Sequence, residues 1–165
     1  MPHLPFREVR GKPSKGRFGI GNTSGAGQKQ RMPEATVETR VRFAETDGMG
    51  VTYHGNYLPW FEMARVALLD SLGIPYRDLE REGFLLPVLE TGLTYHRPSR
   101  FDDRIRITVT LAEKPKARLR LAYRVEREGE LLVEGFTVHA FVNREFKPVR
   151  PPDRVEEAMR RAFGS

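Results

Sequence analysis

Residues 57–72 constrain the chain more than any other segment. Tyr57, Leu58, Trp60, Phe61, Met63, Ala64, Val66, Ala67, Leu68, Leu69 and Leu72 take up almost the whole circumference of a helix, interrupted mainly by Glu62, Arg65 and Asp70. A helix that is apolar on nearly every side has to be enclosed rather than laid on a surface. Its start is marked by Asn56 as a candidate N-cap and by Pro59 in the first turn, where a missing N–H costs little. Gly73, with Pro75 beyond it, marks the end.

The remaining segments are suited to form the enclosure. Val37, Thr39, Val41 and Phe43 alternate with polar residues, the period of a half-buried strand. A short polar helix is expected over residues 75–82, then strands over 87–96, 103–113, 117–127 and 131–143, and a closing helix over 153–163. Ile105, Ile107, Val109 and Leu111 share one face of their strand, as do Leu119, Leu121, Tyr123 and Val125 of the next. Glu128-Gly129-Glu130 reads as a hairpin turn. Strand, helix, then four strands on short turns suit an α+β fold in which one curved, five-stranded antiparallel sheet wraps one long helix. A single sheet face cannot cover a whole helix, so a second subunit is expected to close the remaining side.

Composition narrows the chemistry. The chain has no Cys, which excludes disulfides and all cysteine-based zinc and iron–sulfur sites. No apolar run approaches the ~20 residues of a membrane span, no secretory leader is read at the amino end, and a cytoplasmic location is expected. The net charge of +6 lies wholly in residues 1–31, which hold seven basic side chains against Glu8 alone; residues 32–165 are neutral. That basic segment is rich in Gly and poor in large apolar side chains, so it reads as a disordered or peripheral extension, with the folded domain at 32–165. Met32-Pro33-Glu34-Ala35 reads as an alternative start. Nucleic-acid binding, which would rest on the extension, is not expected of the folded body.

The chemistry-bearing stretch is Asp47-Gly48-Met49-Gly50-Val51-Thr52-Tyr53-His54-Gly55-Asn56-Tyr57. It sets a carboxylate a few residues before the amino end of the enclosed helix, where the first N–H groups lack intrahelical partners and carry the positive end of the dipole. A carbonyl oxygen held there would be polarised, and Asp47 could act on its carbon or on a neighbouring water. Asp47 could equally do no more than brace the turn.

The string D-x-x-G-V-x-Y-H-x-N-Y and the order of elements resemble the hot-dog thioesterases of the 4-hydroxybenzoyl-CoA thioesterase type, and within them the small bacterial acyl-CoA thioesterases associated with the Tol–Pal system. Phe61-Glu62-Met63-Ala64-Arg65 and Pro98-Ser99-Arg100-Phe101-Asp102-Asp103 support the resemblance, which spans about residues 36–145 and leaves the basic extension unmatched. It implies a hot-dog fold, hydrolysis of acyl-CoA to free acid and CoA, and a homodimer or homotetramer with active sites between subunits. No cofactor and no metal are implied. Asp47 matches the catalytic aspartate, as nucleophile or general base. The backbone N–H of His54, with Gly55 beside it, falls where the family polarises the thioester carbonyl. Tyr57 and Glu62 match positions lining the acyl pocket, and Tyr53 is grouped with them as substrate-binding. The hydroxybenzoyl enzymes carry aspartate at the position of Glu62, so that substrate is not carried over.

Other signals have simpler readings. Glu62 and Arg65, three apart on a helix, can pair. His54, His96 and His139 match no local metal-ligand spacing. Arg104, Arg106, Arg118, Arg120 and Arg124 fall on an outward sheet face that Glu126 and Glu134 can balance; some of them, or Lys114, Lys116, Arg97 or Arg100, are candidates for CoA phosphates. An acyl-carrier-protein thioesterase, a hot-dog hydratase using His54 with Glu62, and a non-enzymatic acyl-binding module are the alternative functions.

Overall fold

A computed structural model describes residues 32–164; the basic extension over 1–31 lies outside the described residues. The elements run β1 (Glu34–Arg40), α1 (Tyr57–Ser71), α2 (Tyr76–Arg81), β2 (Val88–Tyr95), β3 (Arg104–Thr110), β4 (Arg118–Arg127), β5 (Glu130–Ala140) and α3 (Asp153–Phe163), with single 3₁₀ turns at Phe43–Glu45 and His54–Asn56. All five strands form one antiparallel sheet in the order β1-β3-β4-β5-β2. This is the hot-dog arrangement, with α1 as the filling. Among the described residues no helix is long and apolar enough to cross a membrane.

Period-2 patterning places the sheet's inner face. Ile105, Ile107 and Val109 of β3 and Leu119, Leu121, Tyr123 and Val125 of β4 are buried, and they share one core with Trp60, Phe61, Ala64, Leu68 and Leu69 of α1. In β5 the alternation breaks at Leu132 and Val133, which are both buried. The β4–β5 register shifts there, between Val125 and Glu126, so one extra residue of β5 is accommodated in a bulge. The helix meets the sheet most closely at Phe61. Its ring stacks on Tyr123 at 4.1 Å between centroids, and a Cβ on Gly135 would come within 2.9 Å of it. Gly135 is therefore a packing requirement.

The helix ends as expected. Gly73 takes φ +73°, and the N–H of Ile74 donates to the Leu69 carbonyl at 3.0 Å, closing the last turn in the Schellman manner. Two local expectations need correction. Asn56 precedes α1 but makes no side-chain cap, because it is itself in the 3₁₀ turn and its amide donates to the Glu45 carbonyl instead. Phe43 lies beyond β1 and is 77% exposed. Arg65, one of the few polar residues in α1, is buried at 7% exposure. One sheet does leave part of α1 uncovered, since Leu58 and Met63 stay 39% and 43% exposed.

Two of the outward arginines form local ion pairs and a third packs on a ring. Arg106 reaches Glu38 and Arg124 reaches Glu126, both at 2.8 Å, while Arg120 lies 4.0 Å over the Phe136 ring.

Under the sheet, His139, Thr137 and Tyr123 form one buried chain. Nδ1 of His139 faces the Leu86 carbonyl at 3.1 Å, and a carbonyl can only accept, so Nδ1 carries the proton. Nε2 then accepts from the Thr137 hydroxyl at 2.8 Å, which in turn accepts from the Tyr123 hydroxyl at 2.9 Å. Burial, and after it the Arg65 guanidinium, push the imidazole down to about 4, while burial pushes Tyr123 up to about 12. The unfolded chain takes up a proton on this histidine near its ordinary value of 6.5, whereas the fold resists it until about 4. Stability is therefore complete above 6.5 and falls as pH drops through that window, by on the order of 3 kcal/mol in all. Thermal melts should show a steeper decline between these pH values for the wild type than for His139→Gln; equal slopes would contradict the neutral, buried histidine.

Candidate active site

The loop between β1 and α1 is built around Asp47. Its N–H donates to the Val51 carbonyl and its carbonyl accepts from Gly50, each at 2.9 Å, while a Thr46–Thr52 bridge closes the base. Gly50 takes φ +71°, which the turn demands and a side chain would resist. One carboxylate oxygen, Oδ1, accepts from the Met49 N–H at 2.8 Å. The brace foreseen for this aspartate is therefore real, yet it occupies only that oxygen. Oδ2 has no hydrogen-bond partner among the described residues.

Two buried polar groups tie this loop to the helix. Glu45 accepts from the Arg42 backbone at 2.7 Å, from the Arg42 guanidinium at 2.8 Å and from the Trp60 indole at 3.1 Å. Burial raises the Glu45 carboxyl, but those donors outweigh it and hold the group below the usual carboxylate range. The Glu45 carbonyl also accepts from the Tyr53 N–H and the Asn56 amide, both at 2.8 Å. Ser99, fully buried, bonds to the Thr52 hydroxyl at 2.7 Å and the Tyr57 hydroxyl at 2.9 Å. On the outer side the Tyr95 hydroxyl donates to the His54 carbonyl at 3.0 Å. None of Glu45, Ser99 or Tyr95 stands out in the sequence as a site residue. Ser99 lay inside a family-like string, but its partners are 42 and 47 residues away.

The 3₁₀ turn at His54–Asn56 leads straight into α1. The N–H of Asn56 returns to the Tyr53 carbonyl, whereas those of His54 and Gly55 have no acceptor among the described residues. They are the orphan donors expected at a helix start. Gly55 has a local reason to lack a side chain, because a Cβ there would lie 3.0 Å from the Tyr53 ring.

Asp47, His54 and Tyr57 line a common cavity of about 400 Å³, together with Tyr95, His96 and Arg97. Tyr53, grouped with the substrate-binding residues in the sequence, does not line this cavity; its ring lies 4.1 Å from that of His54. Glu62 is elsewhere: it lines a second cavity, on the next turn of α1. His54 and Glu62 thus face different spaces, and His139, buried at 1% exposure, borders the Glu62 cavity and not that of His54. Of the phosphate candidates, Arg97 borders the Asp47 cavity and Arg100 reaches the Gly50 carbonyl at 3.4 Å. Lys114 and Lys116 follow Thr110, which pairs with Glu34, at the opposite end of the sheet from the loop that follows Arg40. Within one chain they are far from Asp47.

Comparison with known proteins adds to this geometry. The sequence profile of the thioesterase-like superfamily matches residues 41–162. A Bacillus subtilis protein, YneP, provisionally named an acyl-CoA thioesterase, is 35% identical over 115 residues, 68% of this chain and 83% of its own length. The crystal structure of the hypothetical protein TT1821 from Thermus thermophilus superposes with a TM-score of 0.74 at 39% identity, covering 80% of this chain and 99% of that one. That of a DHNA-CoA thioesterase from Staphylococcus aureus gives 0.72 at 32% identity, covering 79% and 88%.

The Glu45 anchor makes a stability prediction. Glu45→Ala leaves the Trp60 N–H buried without an acceptor and should cost about 1–3 kcal/mol in urea unfolding. Glu157→Ala, which removes only an exposed 3.5 Å ion pair with Arg161, should stay within about 0.5 kcal/mol. Similar losses in the two variants would refute the anchoring role.

Proposed function

The chain belongs to the thioesterase-like superfamily, and from that premise we propose that it hydrolyses acyl-CoA thioesters to the free acid and CoA. Within the superfamily we assign it to the 4-hydroxybenzoyl-CoA thioesterase type, nearest the small Tol–Pal-associated enzymes, on the strength of its D-x-x-G-V-x-Y-H-x-N-Y string. The observation that carries the reading is the cavity shared by Asp47 and His54 at the head of α1. There a carboxylate oxygen with no partner among the described residues shares a cavity with a helix start whose His54 and Gly55 N–H groups have no acceptor among them.

The chemistry follows from those groups. The thioester carbonyl oxygen accepts from the His54 and Gly55 N–H groups, which stabilise the negative charge that develops on it. Asp47 then takes one of two courses. It deprotonates a water that adds to the carbonyl carbon, or its own oxygen adds and forms a mixed anhydride that water later opens. In either course the carbon–sulfur bond breaks and CoA departs as a thiolate, a leaving group good enough that no strong general acid is needed. Tyr57, held by Ser99, walls the acyl side together with Tyr95, against whose ring it packs edge-on at 5.5 Å. Tyr53 lies beside His54, and Glu62 further along the acyl path.

We assign the working form to a homodimer or homotetramer. The exposed apolar side chains Leu58 and Met63 on α1, and Val88, Leu89 and Tyr95 on the edge strand β2, are the surface it would cover. Residues 1–31 are an accessory to the domain at 32–165. Deleting them is expected to leave acyl-CoA turnover unchanged.

Asp47→Asn keeps the turn's hydrogen-bonding shape but removes the base or nucleophile. Across a panel of acyl-CoA esters it should lower kcat by about 10²-fold or more with an unaltered circular dichroism spectrum. Near-normal hydrolysis by the variant on every ester would defeat the mechanism. A single turnover in heavy-oxygen water separates the two courses, since label in the Asp47 carboxylate requires the anhydride.

A further inference from the structure

Beside the Asp47 cavity lies a second one of about 490 Å³, between α1 and strands β2, β4 and β5. Tyr57 and Tyr95 border the first cavity, and Leu58 and Thr91 border the second, so both lie between α1 and β2, the second nearer the middle of the helix. Much of the second is apolar, lined by Leu58, Phe61, Leu86 and Val88. Its polar atoms divide into two sets. The Tyr123–Thr137–His139 chain is closed, with each hydroxyl proton and the imidazole proton already given to a neighbour. Arg65 is the opposite case.

The Arg65 side chain is nine-tenths buried, and its Nη1 has no hydrogen-bond partner among the described residues. Its Nη2 stands 3.6 Å from the Glu62 carboxylate, too far for a hydrogen bond, and that carboxylate is 66% exposed. The Tyr76 ring, 5.2 Å from the guanidinium carbon, gives partial compensation. A buried cation is costly unless a well-placed anion accompanies it, and Glu62, turned largely to water in the single chain, meets that need poorly. A neutral acceptor would satisfy the free N–H but not the charge. A carboxylate satisfies both, since its two oxygens match the fork of a guanidinium. His139 is neutral, so one negative charge is the complement.

Resting on the acyl-CoA hydrolysis proposed above, we infer that this enzyme favours thioesters whose acyl group ends in a carboxylate, and that Arg65 is the residue that reads it. Eight residues separate Tyr57 from Arg65, about 12 Å along the helix axis. An acyl chain of medium length spans that distance, with its thioester carbonyl at the head of α1 and its far carboxylate at Arg65. Glu62, at the mouth, competes for the same guanidinium when the acyl group lacks one.

The test uses the full chain and pairs of CoA esters of one dicarboxylic acid, with the far carboxylate free or methylated, over a graded series of lengths. At the length that spans both cavities, kcat/KM should favour the free carboxylate by about tenfold or more, the order of one charge-assisted hydrogen bond. Arg65→Met should bring that ratio to one or below, and Glu62→Gln should raise it by removing the rival anion. Both esters are read with the same preparation, so loss of folded enzyme cancels from each ratio. A wild-type ratio near one at every length, with both esters hydrolysed, overturns the inference and leaves the proposed function standing. A preference that survives Arg65→Met overturns the role of Arg65. Failure to hydrolyse any CoA ester overturns the proposed function, and this inference with it.

Discussion

Burial of α1 is the constraint on which the rest of the structure depends. Its side chains are apolar on so many faces that no flat surface could cover them, and the sheet curls around the helix to do so. Trp60, Phe61, Ala64, Leu68 and Leu69 are all at most 2% exposed. Each apolar Å² withdrawn from water contributes about 25 cal/mol. The contact is made tight by the Phe61–Tyr123 stack and by the missing side chain of Gly135. The exposed remainder, Leu58 and Met63, marks where one sheet runs out.

Enclosing the helix also decides where its reactive end lies. The amino end of α1 comes up beside the far end of β2, and the loop carrying Asp47 is drawn onto it by Glu45 and Ser99. Glu45 holds the indole of Trp60, a core residue, so the loop is fastened to the best-packed part of the molecule. A carboxylate used in this way is structural, while the one two residues later keeps an oxygen without a partner among the described residues. The two acids are distinguished by the donors around them.

Buried polar groups elsewhere follow the same economy. Tyr123, Thr137 and His139 satisfy one another, and the direction of every proton in the chain follows from a single carbonyl that can only accept. Arg65 lies against that network with a nitrogen that no described residue pairs. Closed and open polar groups on one cavity wall are what distinguish a wall that merely holds its shape from one that can recognise a charge.

Much of this was legible from residue order. Hydrophobic period located α1, β1, β3 and β4, because burial on one face of a strand or all round a helix leaves a repeat of two or an unbroken apolar circumference; β2 and β5, whose burial does not alternate cleanly, were marked by the turns and prolines that bound them. The Asp47-to-Tyr57 string marked the loop, and Gly73 marked the helix end through its left-handed backbone. The cap at Asn56 was misjudged because its amide found a better acceptor, the Glu45 carbonyl, eleven residues away in the chain. Ser99 and Tyr95 drew no notice as site residues because their roles exist only across contacts more than 40 residues long. Local pattern by itself thus determined the elements, their order and the carboxylate poised ahead of the helix. Which oxygen of Asp47 stays free among the described residues, that Glu62 faces a different cavity from His54, and that Arg65 is buried without a full partner among them were decided only by tertiary structure. Hydrogen bonding and charge burial depend on what packs opposite a side chain, and neighbours in space are not written in the spacing of residues along the chain.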